Sequence, residues 1–107
     1  MRENPQPGEV WFVDFGYEAK PRFCLVVASH DDARLAIASV VQITTQHGGT
    51  PYETALPRVP WLREQSYVNA QSLQPVKRVE FVRRVGRFEP SVMAQVNAAL
   101  RAWLGLK

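Results

Sequence analysis

Apolar residues along this chain run in short blocks for most of its length and shift to a helical spacing only near the end. Val10-Trp11-Phe12-Val13-Asp14-Phe15 is rich in β-branched and aromatic residues and lies between Gly8 and Gly16, which predicts a first strand. Residues 22–29 are apolar almost throughout and predict a second strand, buried on both faces. His30-Asp31-Asp32 makes a polar turn, and Leu35 to Ile43 predicts the third strand. Strands joined by so tight a turn are expected to pair antiparallel.

Residues 44–51 read Thr-Thr-Gln-His-Gly-Gly-Thr-Pro, and their glycines and proline exclude a regular element. Tyr52 to Leu56 predicts a short strand, broken by Pro57 and Pro60. Ser66 to Leu73 predicts another, with Pro75 ending it or marking a sheet edge. Val79 to Phe88 alternates in part and ends at Glu89-Pro90. Val92, Val96, Leu100, Trp103 and Leu104 then recur at helical spacing. Pro90 suits the first helical position and Gly105 the left-handed residue just past the end. About six or seven short strands and one helix predict a mainly β (α+β) chain, a small bent sheet or barrel. The helix must bury its apolar face against that barrel or a second subunit. Val92, Val96, Leu100 and Trp103 are expected to pack on the barrel.

The length of 107 residues and the 46% apolar share fit one domain, 1–107, with one real core. Cys24 is the only cysteine, so an internal disulfide and a Cys-rich zinc site are both excluded. Inside Phe23-Cys24-Leu25-Val26-Val27 it reads as a small buried hydrophobe. The segment 1–8 has no apolar core like that of a signal peptide, and no apolar run approaches the roughly 20 residues of a membrane helix. A soluble cytoplasmic protein is expected. The net charge is +3, and it is concentrated: Lys77, Arg78, Arg83, Arg84 and Arg87 stand against Glu80 alone within residues 77–87. Such a local field attracts nucleic acid or an acidic protein, although a solvated strand face has the same composition.

The candidate chemistry gathers at one end of the second and third strands. If these pair about the turn near residue 31, Arg22 lies near residues 40–44. Arg22, Thr44, Thr45, Gln46 and His47 then share one edge. Arginine presents a planar five-donor fork to phosphate oxygens, and hydroxyls and loop N–H groups add neutral donors. The group suits a phosphodiester. Each residue also has an ordinary role: a solvated strand-start arginine, a Thr-Thr strand end, an exposed loop histidine. No His-x-x-x-His, Gly-rich phosphate motif or Gly-x-Ser-x-Gly is present, and His30 with Asp31-Asp32 is too compact to converge on a metal.

An ordered set of segments carries a family resemblance over nearly the whole chain. It begins with Pro7-Gly8-Glu9-Val10-Trp11-Phe12-Val13-Asp14-Phe15 and Lys20-Pro21-Arg22-Phe23-Cys24-Leu25-Val26-Val27. It continues through Gln42-Ile43-Thr44-Thr45-Gln46, Pro51-Tyr52-Glu53 and Ser66-Tyr67-Val68-Asn69 with Gln71. It closes with Val85-Gly86-Arg87-Phe88, Ala98-Ala99-Leu100-Arg101 and Leu104-Gly105-Leu106. Together these resemble the MazF/PemK-like toxins of type II toxin–antitoxin systems. The resemblance implies an SH3-like barrel with a C-terminal helix, usually a homodimer. It implies a metal-independent, sequence-selective endoribonuclease, without cofactor, that cuts single-stranded messenger RNA and is silenced by a cognate antitoxin. It assigns the cut to Arg22 and Thr44, and around that edge Lys20, Thr45, Gln46, His47 and Gln71 are expected to bind RNA.

An arginine stays protonated below about pH 12, so Arg22 suits charge stabilisation better than proton abstraction. An imidazole, whose ordinary pKa is about 6.5, makes His47 the candidate for proton transfer if it faces the site. The short Gly16–Pro21 loop, and Leu73 where family members often carry arginine, motivate a second reading. That reading is a non-catalytic relative that binds a protein target, as gyrase-poisoning toxins of this fold do, or holds nucleic acid without cutting it. A structural small barrel without toxicity is the third.

Overall fold

The computed structural model describes residues 4–16, 20–32 and 34–106. Seven strands are found among them: β1 (Glu9–Val13), β2 (Arg22–Ala28), β3 (Ile37–Thr44), β4 (Glu53–Ala55), β5 (Tyr67–Asn69), β6 (Gln74–Lys77) and β7 (Phe81–Arg87). The helix α1 follows at Pro90–Leu104. All strand pairs are antiparallel, in the order β4-β5-β3-β2-β1-β7, with β6 also on β3. Among the described residues the ladder does not close: β4 and β7 are its two ends, so the expected barrel is an open sheet.

β3 organises the sheet. Its first half, from Ile37 to Val40, pairs with β6, and its last residues, Ile43 and Thr44, pair with β5. Alternating side chains put two apolar clusters on opposite faces. Trp11, Val13, Cys24, Val26, Val40 and Phe81 form one cluster. Val10, Leu25, Val41 and Ile43 belong to the other, and α1 covers it with Val92, Val96 and Leu100. Cys24 is fully buried, and burial pushes its thiol up to about 12. It is an unreactive core group, as its apolar setting predicts.

The helix begins at Pro90 and ends at Gly105, which has φ +73°, as the sequence predicts. Trp103 packs less than expected: it remains 43% exposed and meets the Tyr52 ring edge-on at 5.4 Å. The expected strand over 66–73 is split. Asn69 ends β5, and its side chain accepts the Gln71 N–H, turning Ala70–Ser72 into a 3-10 turn. Gln74–Lys77 then forms a strand of its own, paired only with β3 among the described residues, so Pro75 lies on a sheet edge. Part of the loop expected over residues 16–21, residues 17–19, lies outside the described residues.

One buried carboxylate ties the start of the sheet together. Glu9 Oε1 accepts the Gln6 N–H at 2.7 Å and the Trp11 indole N–H at 3.1 Å, and Oε2 accepts from Arg84 at 3.0 Å. Burial pushes the Glu9 carboxyl up, but these donors and the Arg84 charge outweigh it and hold the group below the ordinary value.

Candidate functional site

The register of β2 and β3 decides where the candidate residues fall. Cys24 pairs with Gln42 and Leu25 with Val41. Carried two residues further, the same register sets Arg22, at the start of β2, across from Thr44, at the end of β3. Directly opposed residues share a face. Arg22 is exposed and Thr44 partly buried. The paired ladder itself reaches as far as Cys24 and Gln42, two residues short of this position on each strand.

Thr44 Oγ1 accepts the Gln46 N–H at 3.1 Å, a local turn that leaves the hydroxyl proton to donate elsewhere. Thr44 forms a wall of two clefts. The first, of about 360 Å³, is lined by Gln46, His47, Thr50, Glu53 and Asn69 as well as Thr44. The second, of about 300 Å³, is lined by Phe23, Thr45 and Trp61 among others.

Glu53 gives the irregular segment after Thr44 a defined shape. Its Oε1 accepts the Gly48 N–H at 2.7 Å, and its Oε2 accepts both the Thr50 N–H at 3.0 Å and the Thr50 hydroxyl at 2.8 Å. The Thr50 donors first, then the Gly48 N–H and the nearby His47, hold this carboxyl down at about 2. His47 lies flat on Tyr67, with ring centroids 4.4 Å apart. The loop is thus anchored at both ends of its arc, by a carboxylate and by a ring stack.

Of the remaining candidates, Thr45 lines the second cleft, while Gln46 and His47 line the first. Gln71 is exposed and lines neither, but Asn69 bridges to it: Asn69 Oδ1 accepts the Gln71 N–H at 2.9 Å. Lys20 is exposed just ahead of β2 and lines neither cleft. Glu53, Tyr67 and Asn69 are the site residues that sequence reasoning missed. In the sequence they stand only as strand positions and as members of the family-like segments, because the Glu53 bonds and the Tyr67 stack form only once the loop has folded.

The basic segment 77–87 is not one free patch. Arg78 donates to the Asn4 side chain at 2.9 Å and to the His30 carbonyl, and Arg84 is paired with Glu9. Arg83 lies over the Phe12 ring at 5.3 Å. Among the described residues no three His, Cys, Asp or Glu side chains gather as a metal-binding group, and no helix is long and apolar enough to cross a membrane.

The chain belongs to the PemK-like, MazF-like toxin family of type II toxin–antitoxin systems, whose family model matches residues 6–104. Endoribonuclease MazF1 of Mycobacterium bovis is 31% identical over 103 residues, covering 95% of this chain and 94% of its own length. Endoribonuclease MazF4 of Mycobacterium tuberculosis matches to the same extent. A mycobacterial endoribonuclease solved in complex with its cognate antitoxin superposes with a TM-score of 0.82 at 29% identity, covering 96% of this chain and 97% of that one. A chain of the MazE–MazF structure from Deinococcus radiodurans reaches the same TM-score at 19% identity, over 99% of this chain and all of that one, and so agrees in fold.

Proposed function

We propose that this MazF-like toxin cuts single-stranded messenger RNA at the edge where Arg22 stands across from Thr44. The chain is an endoribonuclease toxin of a type II system, in line with relatives that carry that activity in their names over nearly its full length. The observation that supports the site is the β2–β3 register: Cys24 pairs with Gln42, and two residues further the same register would set a permanent cation across from a hydroxyl at one strand edge.

The chemistry follows from those two groups. The ribose 2′-oxygen attacks the adjacent phosphorus; the bond to the 5′-oxygen breaks, and a 2′,3′-cyclic phosphate and a 5′-hydroxyl result. Negative charge builds on the non-bridging oxygens, where the Arg22 fork and the Thr44 hydroxyl donate. His47 lines the same cleft as Thr44 and takes the 2′-hydroxyl proton, while water supplies the proton to the leaving oxygen. Lys20, Thr45, Gln46 and Gln71 hold the strand on either side. No step calls for a metal or a cofactor.

The toxin works in the cytoplasm as a single domain, assembles as a homodimer, and is silenced by a cognate antitoxin. The mycobacterial neighbour solved with its antitoxin supports that partner. Purified protein incubated with long single-stranded RNA in EDTA is expected to yield fragments ending in a cyclic phosphate. Intact RNA in that assay, together with growth arrest on expression, would overturn the proposal in favour of poisoning a protein target.

A further inference from the structure

Apart from its Thr44 and Thr45 walls, the second cleft beside Thr44 has no part in the chemistry above. Phe23, Thr45 and Trp61 line it, together with the exposed Arg63 and Glu64. Both aromatic walls are braced from behind. A Cβ at Gly86 would lie only 2.3 Å from Trp61 Cε2, so β7 carries glycine where the indole lies against it. Trp61 also meets the Phe88 ring at 5.2 Å. Phe23 meets Phe12 edge-on at 5.4 Å, and Phe12 in turn lies under Arg83. Two rigid aromatic side chains, each only partly buried, thus border one small cleft that opens beside the phosphate-directed hydroxyl.

We propose that this cleft is a slot for a single nucleobase of the RNA, the one adjoining the phosphate at Thr44, and that Trp61 determines which nucleotide is accepted there. The inference rests on the RNA-cleavage reading. Aromatic side chains hold unstacked bases by their faces, and polar groups beside them read the base edges. Thr45, Arg63 and Glu64 supply a hydroxyl, a donor fork and a carboxylate acceptor at this cleft. Its volume, about 300 Å³, sits at the small end of ligand sites, which fits one base better than a folded segment. The shared Thr44 wall favours an occupant covalently attached to the reacting phosphate over an antitoxin side chain.

A thermodynamic cycle tests the slot. An RNA carrying the mapped cut site is prepared with an abasic nucleotide at each flanking position in turn and cut by wild type, Trp61→Leu and Phe23→Leu. Wild type is expected to lose on the order of ten- to a hundredfold in rate at one flanking position only, the range set by base stacking. Trp61→Leu should lose rate on the intact RNA and show little further loss with the abasic nucleotide at that position. Equal loss at every position, or full additivity of the two changes, overturns the slot. If Trp61→Leu does not fold, Phe23→Leu carries the same comparison. A wild type that binds RNA but leaves it uncut overturns the cleavage reading instead, and the same cycle measured on binding affinity then decides the slot.

Discussion

His47 lies face to face on Tyr67, with the two ring planes 5° from parallel. The stack fixes an imidazole on the wall of the cleft that Thr44 shares. If His47 moves the 2′-hydroxyl proton, its loss removes an acid–base group, a change of about 10²–10⁴-fold. His47→Ala is expected to slow cleavage by that order at neutral pH and to flatten the pH dependence of the rate. Tyr67→Leu, which keeps the imidazole but removes its support, should fall between the two. Unchanged pH–rate profiles in His47→Ala would contradict the assignment.

Glu53 makes a second expectation through its three loop bonds. Its carboxyl is held at about 2, below an ordinary value of 4.5. A carboxyl depressed on folding stabilises the folded state above its unfolded pKa and loses that contribution as pH falls through the folded one. The thermal stability lost on Glu53→Gln should therefore be constant from neutrality down to about pH 4.5 and shrink between there and about pH 2. A difference in melting temperature that does not change across that window would show that the bonds are not formed in solution.

Leu100 and Trp103 separate the buried and open parts of α1. Leu100 is buried in the cluster beneath the helix, while Trp103 is largely open. Leu100→Ala should cost about 2–5 kcal/mol by loss of burial and the cavity left behind. Trp103→Ala should cost clearly less, because the ring is already 43% exposed and its removal leaves a smaller cavity. Denaturant unfolding of both variants checks the order.

How much of this was legible in the sequence depended on how local its cause was. The antiparallel β2–β3 pair followed from two apolar runs separated by a short polar stretch. The helix limits followed from Pro90 and Gly105. The strand Gln74–Lys77 was hidden because Pro75 reads as a terminator, yet it pairs with Ser39 from one side of β3, where its missing N–H is tolerated. The break after Asn69 comes from one side-chain cap, and the β2 register slips by one at Val27, between the Val26 and Ala28 pairs. Glu53 was least legible, since its partners become neighbours only once residues 46–50 have curled around it.

Gly86 makes a fourth expectation. Gly86→Ala places a methyl carbon 2.3 Å from Trp61 Cε2, so the ring or the strand must shift. Overpacking of this kind costs about 1–3 kcal/mol. A lower melting temperature and altered tryptophan fluorescence are expected, and a variant as stable as wild type would show that Trp61 does not lie against β7.

The central claim is that Arg22, held across from Thr44 by the β2–β3 register, stabilises the charge that builds as RNA is cut. Single-turnover cleavage of one defined RNA in EDTA by wild type, Arg22→Ala and Thr44→Val tests it most directly. The account predicts that Arg22→Ala is slower by on the order of a hundred- to a thousandfold, that Thr44→Val is also slowed, and that both variants melt close to wild type. Arg22→Ala that folds and cuts at the wild-type rate contradicts it.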